Sequence, residues 1–180
     1  MQAEPTLRVA TLDDRDAIDE LMKVSAAALF PSSYNARQTE SMVRYVSDVD
    51  ELLLADGTYF VIEAEGELVA CGGWSRRDKL YTGSGDADGD ARLLDPATEP
   101  ARVRAMFTRP DWTRRGLGRR ILEACEEAAR REGYTKLALG ATLPGLPLYL
   151  AYGFEPGEEF EVTMPDGVSV GCVAMEKPIA

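Results

Sequence analysis

The sequence predicts an α/β protein of the α+β kind. It reads as one domain, residues 1–180, with about seven strands and about four helices in the order β-α-α-β-β-β-α-β-α-β-β. Three observations predict it. Residues 59–74 and 159–178 alternate on either side of Glu65-Gly66 and Asp166-Gly167, which is hairpin chemistry. Residues 101–141 run strand, loop, helix, strand, the signature of a parallel, right-handed crossover. A length of 180 residues with 45% hydrophobic content is enough to bury one real core.

Each element has a local reason. Leu7 and Val9 make a short first strand, and Thr11 or Asp13 suits the cap of the helix that follows. Ile18, Leu21, Met22, Ser25, Ala26 and Leu29 recur at helical spacing, and Pro31 lies just past the end. Residues 36–56 read as a second helix with a ragged end, in one piece or two, flanked by the packing candidates Tyr34 and Tyr45. In the hairpin that follows, Gly72 and Gly73 weaken the second strand and mark a bulge or a close backbone approach. Trp74 beside them suits either the core or a pocket wall.

Residues 76–100 are rich in Gly, Asp and Pro and read as a variable surface loop, placed to act as a lid. Asp86, Asp88 and Asp90 have the spacing of a calcium loop. Glycine falls at loop position 4 rather than 6, and Ala97 stands at position 12 where a glutamate is needed. No metal site is read from them.

The centre of the chain is ARVRAMFTRPDWTRRGLGRRIL, residues 101–122. By alternation Val103, Ala105 and Phe107 share one strand face, and Arg102, Arg104, Met106 and Thr108 the other. Pro110 and Asp111 make a turn. Leu117, Ile121, Leu122, Cys125, Ala128 and Ala129 then recur at helical spacing. A glycine-bearing loop that opens a helix is an anion site, because first-turn N–H groups lack partners and lie at the positive end of the macrodipole. Gly116 and Gly118 remove side chains from those amides, and Arg114, Arg115, Arg119 and Arg120 add charge. The expected ligand is a phosphate or pyrophosphate. A Walker loop lacks its Gly-Lys-Ser/Thr here. A dinucleotide fingerprint lacks its third glycine, at Ile121, and its acid, at Ala138. Further on, Gly133 ends the helix, residues 134–141 form a strand, Pro147 and Gly153 bracket a short helix, and Phe154 opens the next strand.

Composition excludes several chemistries. A net charge of −11 argues against nucleic acid as a partner. Nine of the twenty basic residues nevertheless lie between Arg102 and Arg131, which fits a small anionic ligand there. Without any histidine there is no His base, no Ser-His triad and little prospect of a zinc site. Cys71, Cys125 and Cys172 form no CxxC pair and read as buried thiols of a reducing compartment. MQAEPTLRVA lacks a signal-peptide pattern, and no apolar run reaches spanning length. The expectation is a cytoplasmic protein with no membrane partner.

Two patches carry a family resemblance. PDWTRRGLGRRIL resembles the V-x-P-x-x-[RQ]-x-x-G-x-[GA] motif of the GCN5-related N-acetyltransferase (GNAT) family, and Leu148–Phe154 resembles its F-Y-x-x-x-G-F. They occur in the family's order and at about its separation. The resemblance implies a central mixed, mostly antiparallel twisted sheet, splayed between the fourth and fifth strands. It implies acetyl-CoA as co-substrate, no metal, and acetyl transfer to a primary amine of a small molecule or peptide in a ternary complex. Met106, Phe107, Thr108, Arg114, Arg115, Gly116, Leu117, Gly118, Arg119 and Thr142 would bind the cofactor, with amides near Met106–Thr108 serving the thioester oxygen. Tyr149 falls on the position of the general acid. Thr113 replaces the usual Arg or Gln, and Thr142 stands where many members have Asn. No base announces itself; Glu63, Glu155 and Asp111 are candidates beside a water chain. A non-catalytic acyl-CoA-binding module is the alternative. A homodimer through the closing hairpin is common in the family and has no specific support in these residues.

Overall fold

The structure, a computed structural model, describes residues 4–78 and 92–180. The calcium-like Asp86, Asp88 and Asp90, and most of the proposed lid, lie outside the described residues.

Seven strands form one sheet: β1 (Thr6–Val9), β2 (Tyr59–Ala64), β3 (Glu67–Ser75), β4 (Ala101–Thr108), β5 (Lys136–Thr142), β6 (Glu155–Thr163) and β7 (Ser169–Pro178), in the order β1-β2-β3-β4-β5-β7-β6. Only β4 and β5 pair in parallel; every other neighbouring pair is antiparallel. The described residues hold five helices rather than about four: α1 (Arg15–Leu29), α2 (Ala36–Tyr45), α3 (Glu51–Asp56), α4 (Leu117–Arg131) and α5 (Leu146–Tyr152). The extra one comes from a break in residues 36–56. Asn35 and Gln38 cap α2 reciprocally, at 2.8 and 3.0 Å. The Asp50 carboxylate accepts from Leu52 N at 3.0 Å and starts α3 afresh, and Gly57 at φ 73° ends it.

The centre of the sheet is buried on both faces. On one, Ile121, Leu122, Cys125 and Ala129 of α4 pack on Ile62, Val69, Leu137 and Leu139. On the other, Ile18, Leu21, Met22 and Ala26 of α1 pack with Met42, Val61, Cys71 and Phe107. The two ends of the 76–100 segment are tied down: Arg77 bridges Leu93, and Leu94 is buried in the α4-side core. Among the described residues no helix is long and apolar enough to cross a membrane.

One irregularity decides the site. The β3–β4 register steps from Cys71↔Phe107 to Gly73↔Arg104, so Ala105 and Met106 together oppose Gly72. This is a β-bulge, one extra residue in β4. Ala105 sits at φ 51°, and its carbonyl accepts from the Tyr59 hydroxyl at 2.5 Å. Gly72 makes the room, since a Cβ there would stand 2.2 Å from Met106 Sδ. The bulge overturns the simple alternation. Val103 joins the α4-side core and Phe107 the α1-side core, so they face opposite ways. Arg104 precedes the bulge and keeps the face it shares with Arg102, where it is buried and paired with Asp50 at 3.2 Å.

Candidate active site

The parallel strands touch briefly. β4 and β5 pair only at Ala101↔Leu137 and Arg102↔Ala138, then part. From Val103 onward the edge of β4 that faces β5 has no ladder partner, so its backbone groups are available to something else. The gap opens into a cleft of about 720 Å³.

One end of the cleft is the loop before α4. Residues Pro110–Trp112 form a 3₁₀ turn, closed by the Thr113 hydroxyl donating to Pro110 O at 3.1 Å. Arg114 at φ 60° and Gly116 at φ 78° then reverse the chain into α4. Such backbone costs a side-chain-bearing residue energy, and glycine adopts it freely. The two glycines serve different ends. A Cβ on Gly116 would meet open space, so its need is conformational and its removal of bulk is felt only in the cleft. A Cβ on Gly118 would lie 2.7 Å from Leu148 Cδ2, so that glycine lets α4 and α5 close up.

Of the predicted site residues, Met106, Phe107, Thr108, Arg114, Gly116, Leu117, Gly118, Arg119, Thr142 and Tyr149 all line this one cleft. Arg115 does not. Its guanidinium lies 4.4 Å over the buried ring of Trp112, on the loop's own flank. Arg119 reaches back over the Tyr152 ring at 5.4 Å and pairs with Glu123 at 3.2 Å.

Tyr149 stands at the far end, where the cleft meets a smaller pocket of about 80 Å³. Only 8% of it is exposed. Its ring packs edge-on to Phe154 at 5.8 Å, and Gly145 leaves it space, since a Cβ there would be 2.8 Å from Cε2. Burial pushes the phenol above its ordinary value, because the anion would lose its solvation. Tyr149 therefore holds its proton at neutral pH.

The candidate bases are elsewhere. Glu63 accepts from Arg8 at 2.5 Å on the β1–β2 edge, and Arg8 also holds Asp14. Glu155 and Asp111 are exposed, and none of the three lines either cavity. No described carboxylate lines them at all. Trp74 is a core residue, 1% exposed and edge-on to Tyr134 at 5.9 Å, so the pocket-wall option falls away. Tyr34 is a strut: its hydroxyl donates to Gly171 O at 2.8 Å and accepts from Leu143 N at 2.9 Å. All three cysteines are free and buried.

Sequence reasoning missed Tyr59, Phe30, Arg104 and Gly145. Phe30 lines both cavities from the residue after α1, and Arg104 lines the smaller one. The doubled glycine at 72–73 was the one local signal of the bulge that Tyr59 holds.

Known proteins share this architecture. The chain superposes on a GCN5-related N-acetyltransferase from Rhodopseudomonas palustris with a TM-score of 0.74 and 18% identity, covering 99% of this chain and 98% of that one. The PaiA N-acetyltransferase of Thermoplasma acidophilum, solved with coenzyme A, gives 0.68 and 15% identity over 98% and 99%. YncA of Salmonella typhimurium, solved with acetyl-CoA, gives 0.64 and 17% over 99% and 95%. Identities this low speak for the fold alone. No curated protein sequence matches the chain. The sequence profile of the Acetyltransferase (GNAT) family matches residues 22–154. With that match, the bulged and splayed sheet, and the loop into α4, the chain belongs to the acetyltransferase (GNAT) family.

Proposed function

We propose that this protein transfers the acetyl group of acetyl-CoA to the primary amine of a small molecule or peptide, by direct attack while both are bound. One observation carries the reading: the α4 N-terminus, the unpaired edge of β4 and the Tyr149 ring all border one cleft. The cleft has the parts an acyl-CoA requires. First-turn amides of α4, with Arg114 and Arg119 nearby, suit the pyrophosphate. Open space at Gly116 leaves them accessible. The β4 edge offers N–H and C=O groups to the amide-bearing arm, and Thr142 can add one hydrogen bond. Arg115 supports the loop through Trp112 rather than reaching the ligand.

In the reaction the amine nitrogen bonds to the thioester carbon and the C–S bond breaks. Amides of the bulged segment, near Met106 and Phe107, donate to the carbonyl oxygen as it gains charge. The Tyr149 phenol gives its proton to the departing thiolate. The amine's surplus proton leaves through water, since no described carboxylate borders the cavities.

Two measurements test this. In a thermal shift, coenzyme A at about 100 times its Kd adds about 2.7 kcal/mol of stability, and ATP or NAD adds none. With acetyl-CoA as donor, an amine panel gives thiol release above the no-amine rate. Tight coenzyme A binding with no release for any amine would favour a non-catalytic acyl-CoA-binding module.

A further inference from the structure

The smaller pocket has a character of its own. It lies across Tyr149 from the α4 loop, and its walls come from Met42 of α2, Val46 just past its end, Val162 of β6, Met164 and Leu139. These are apolar. At about 80 Å³ it is much the smaller of the two cavities. One charged residue lines it, Arg104, whose side chain is 1% exposed. Asp50, which also caps α3, pairs with it at 3.2 Å. A guanidinium stays protonated in a protein.

The donor approaches Tyr149 from the α4 side, so the nucleophile must approach from the other. Resting on the acetyl-transfer reading above, we infer that this pocket takes the body of the acceptor, and that the acceptor is a monoamine with an apolar chain and no second cationic centre. Apolar walls reward a hydrocarbon body by removing it from water. They penalise an ammonium, which would lose its hydration and meet no carboxylate among the described lining residues. The acidic surface draws cations in general, and the pocket then selects among them.

Hexylamine and 1,6-diaminohexane form a matched pair, equal in length and differing in the second ammonium. With acetyl-CoA as donor, kcat/KM for hexylamine exceeds that for the diamine by at least about tenfold, after allowing for the diamine's two ends. Val162→Asp, which puts a carboxylate in the wall and lies outside the coenzyme A cleft, shrinks that ratio several-fold while calorimetry finds coenzyme A affinity unchanged. A diamine used equally well, or a ratio unmoved by Val162→Asp, overturns the inference and leaves acetyl transfer standing. So does a preference for butyryl-CoA that Val162→Asp abolishes, because the pocket would then hold the acyl chain. If no amine releases thiol, the transfer reading fails by itself. Calorimetry of the two amines against the coenzyme A complex then decides the pocket: hexylamine binding at least about tenfold tighter supports it, and equal binding sinks it.

Discussion

In the transfer proposed above, Tyr149 concentrates the chemistry in one atom. Its ring is fixed by Phe154 and by the room Gly145 leaves, so phenylalanine fits the same space without a cavity. Tyr149→Phe should lower kcat by about 10- to 1000-fold, with coenzyme A affinity by calorimetry unchanged. An undiminished kcat would remove Tyr149 from the reaction. Burial holds the phenol protonated, so no loss of kcat through its ionisation is expected between pH 7 and about 9. Gly116 is the second informative residue. Glutamate there projects into the cleft without steric conflict, though φ 78° makes it pay about 1 kcal/mol of backbone strain. Gly116→Glu should retain the native circular dichroism spectrum and lose coenzyme A binding. Normal affinity in that variant would contradict an anion site at α4. Gly118→Glu should lose binding too, by displacing Leu148, and so probes packing as much as charge.

The bulge of β4 is the element on which the cleft depends. It shifts the strand's phase and turns Phe107 toward α1. The Tyr59 hydroxyl is its clasp, reaching Ala105 O from a strand 46 residues earlier. Tyr59→Phe keeps the ring and leaves a buried carbonyl without that donor, which should cost about 1–3 kcal/mol. Urea unfolding would measure it. A midpoint equal to that of the parent protein would mean that the bulge is held by packing alone. α4 is the complementary element, its apolar stripe on the sheet and its open N-terminus on the cleft.

Across the whole molecule, acidic groups of the core share one titration behaviour. Desolvation pushes Tyr34 and Cys71 to about 12 and Cys172 to about 11. In the unfolded chain these groups ionise at their ordinary values, near 10 for tyrosine and about 8.5–9 for cysteine. The unfolded state therefore sheds protons first as pH rises. Stability from keeping these groups neutral is fully present below about pH 8.5 and is lost between there and about pH 12. The urea midpoint should hold level from pH 7 to about 8.5 and fall steadily above about 9.5. A level midpoint to pH 11 would show that the core opens to solvent more readily than its burial implies.

Local patterns were enough to read the strand-loop-helix order, the Gly116 turn, the glycine ends of α4 and α5, both hairpins and the spacing of Tyr149, because each depends on residues within a turn or two. Even the break between α2 and α3 was half visible, in the ragged end of residues 36–56 around Ser47, Asp48 and Asp50. Tertiary structure alone decided the rest. Periodicity cannot register one extra residue in β4, so it put Val103 and Phe107 on one face when they point opposite ways. Nor can it see that Arg115 stacks on Trp112, that Glu63 is taken by Arg8, or that Trp74 belongs to Tyr134. Chain order carries the chemistry of each residue, but a cleft is a relation among segments far apart in sequence. Only folding brings α4, the parted strands and Tyr149 to a common wall.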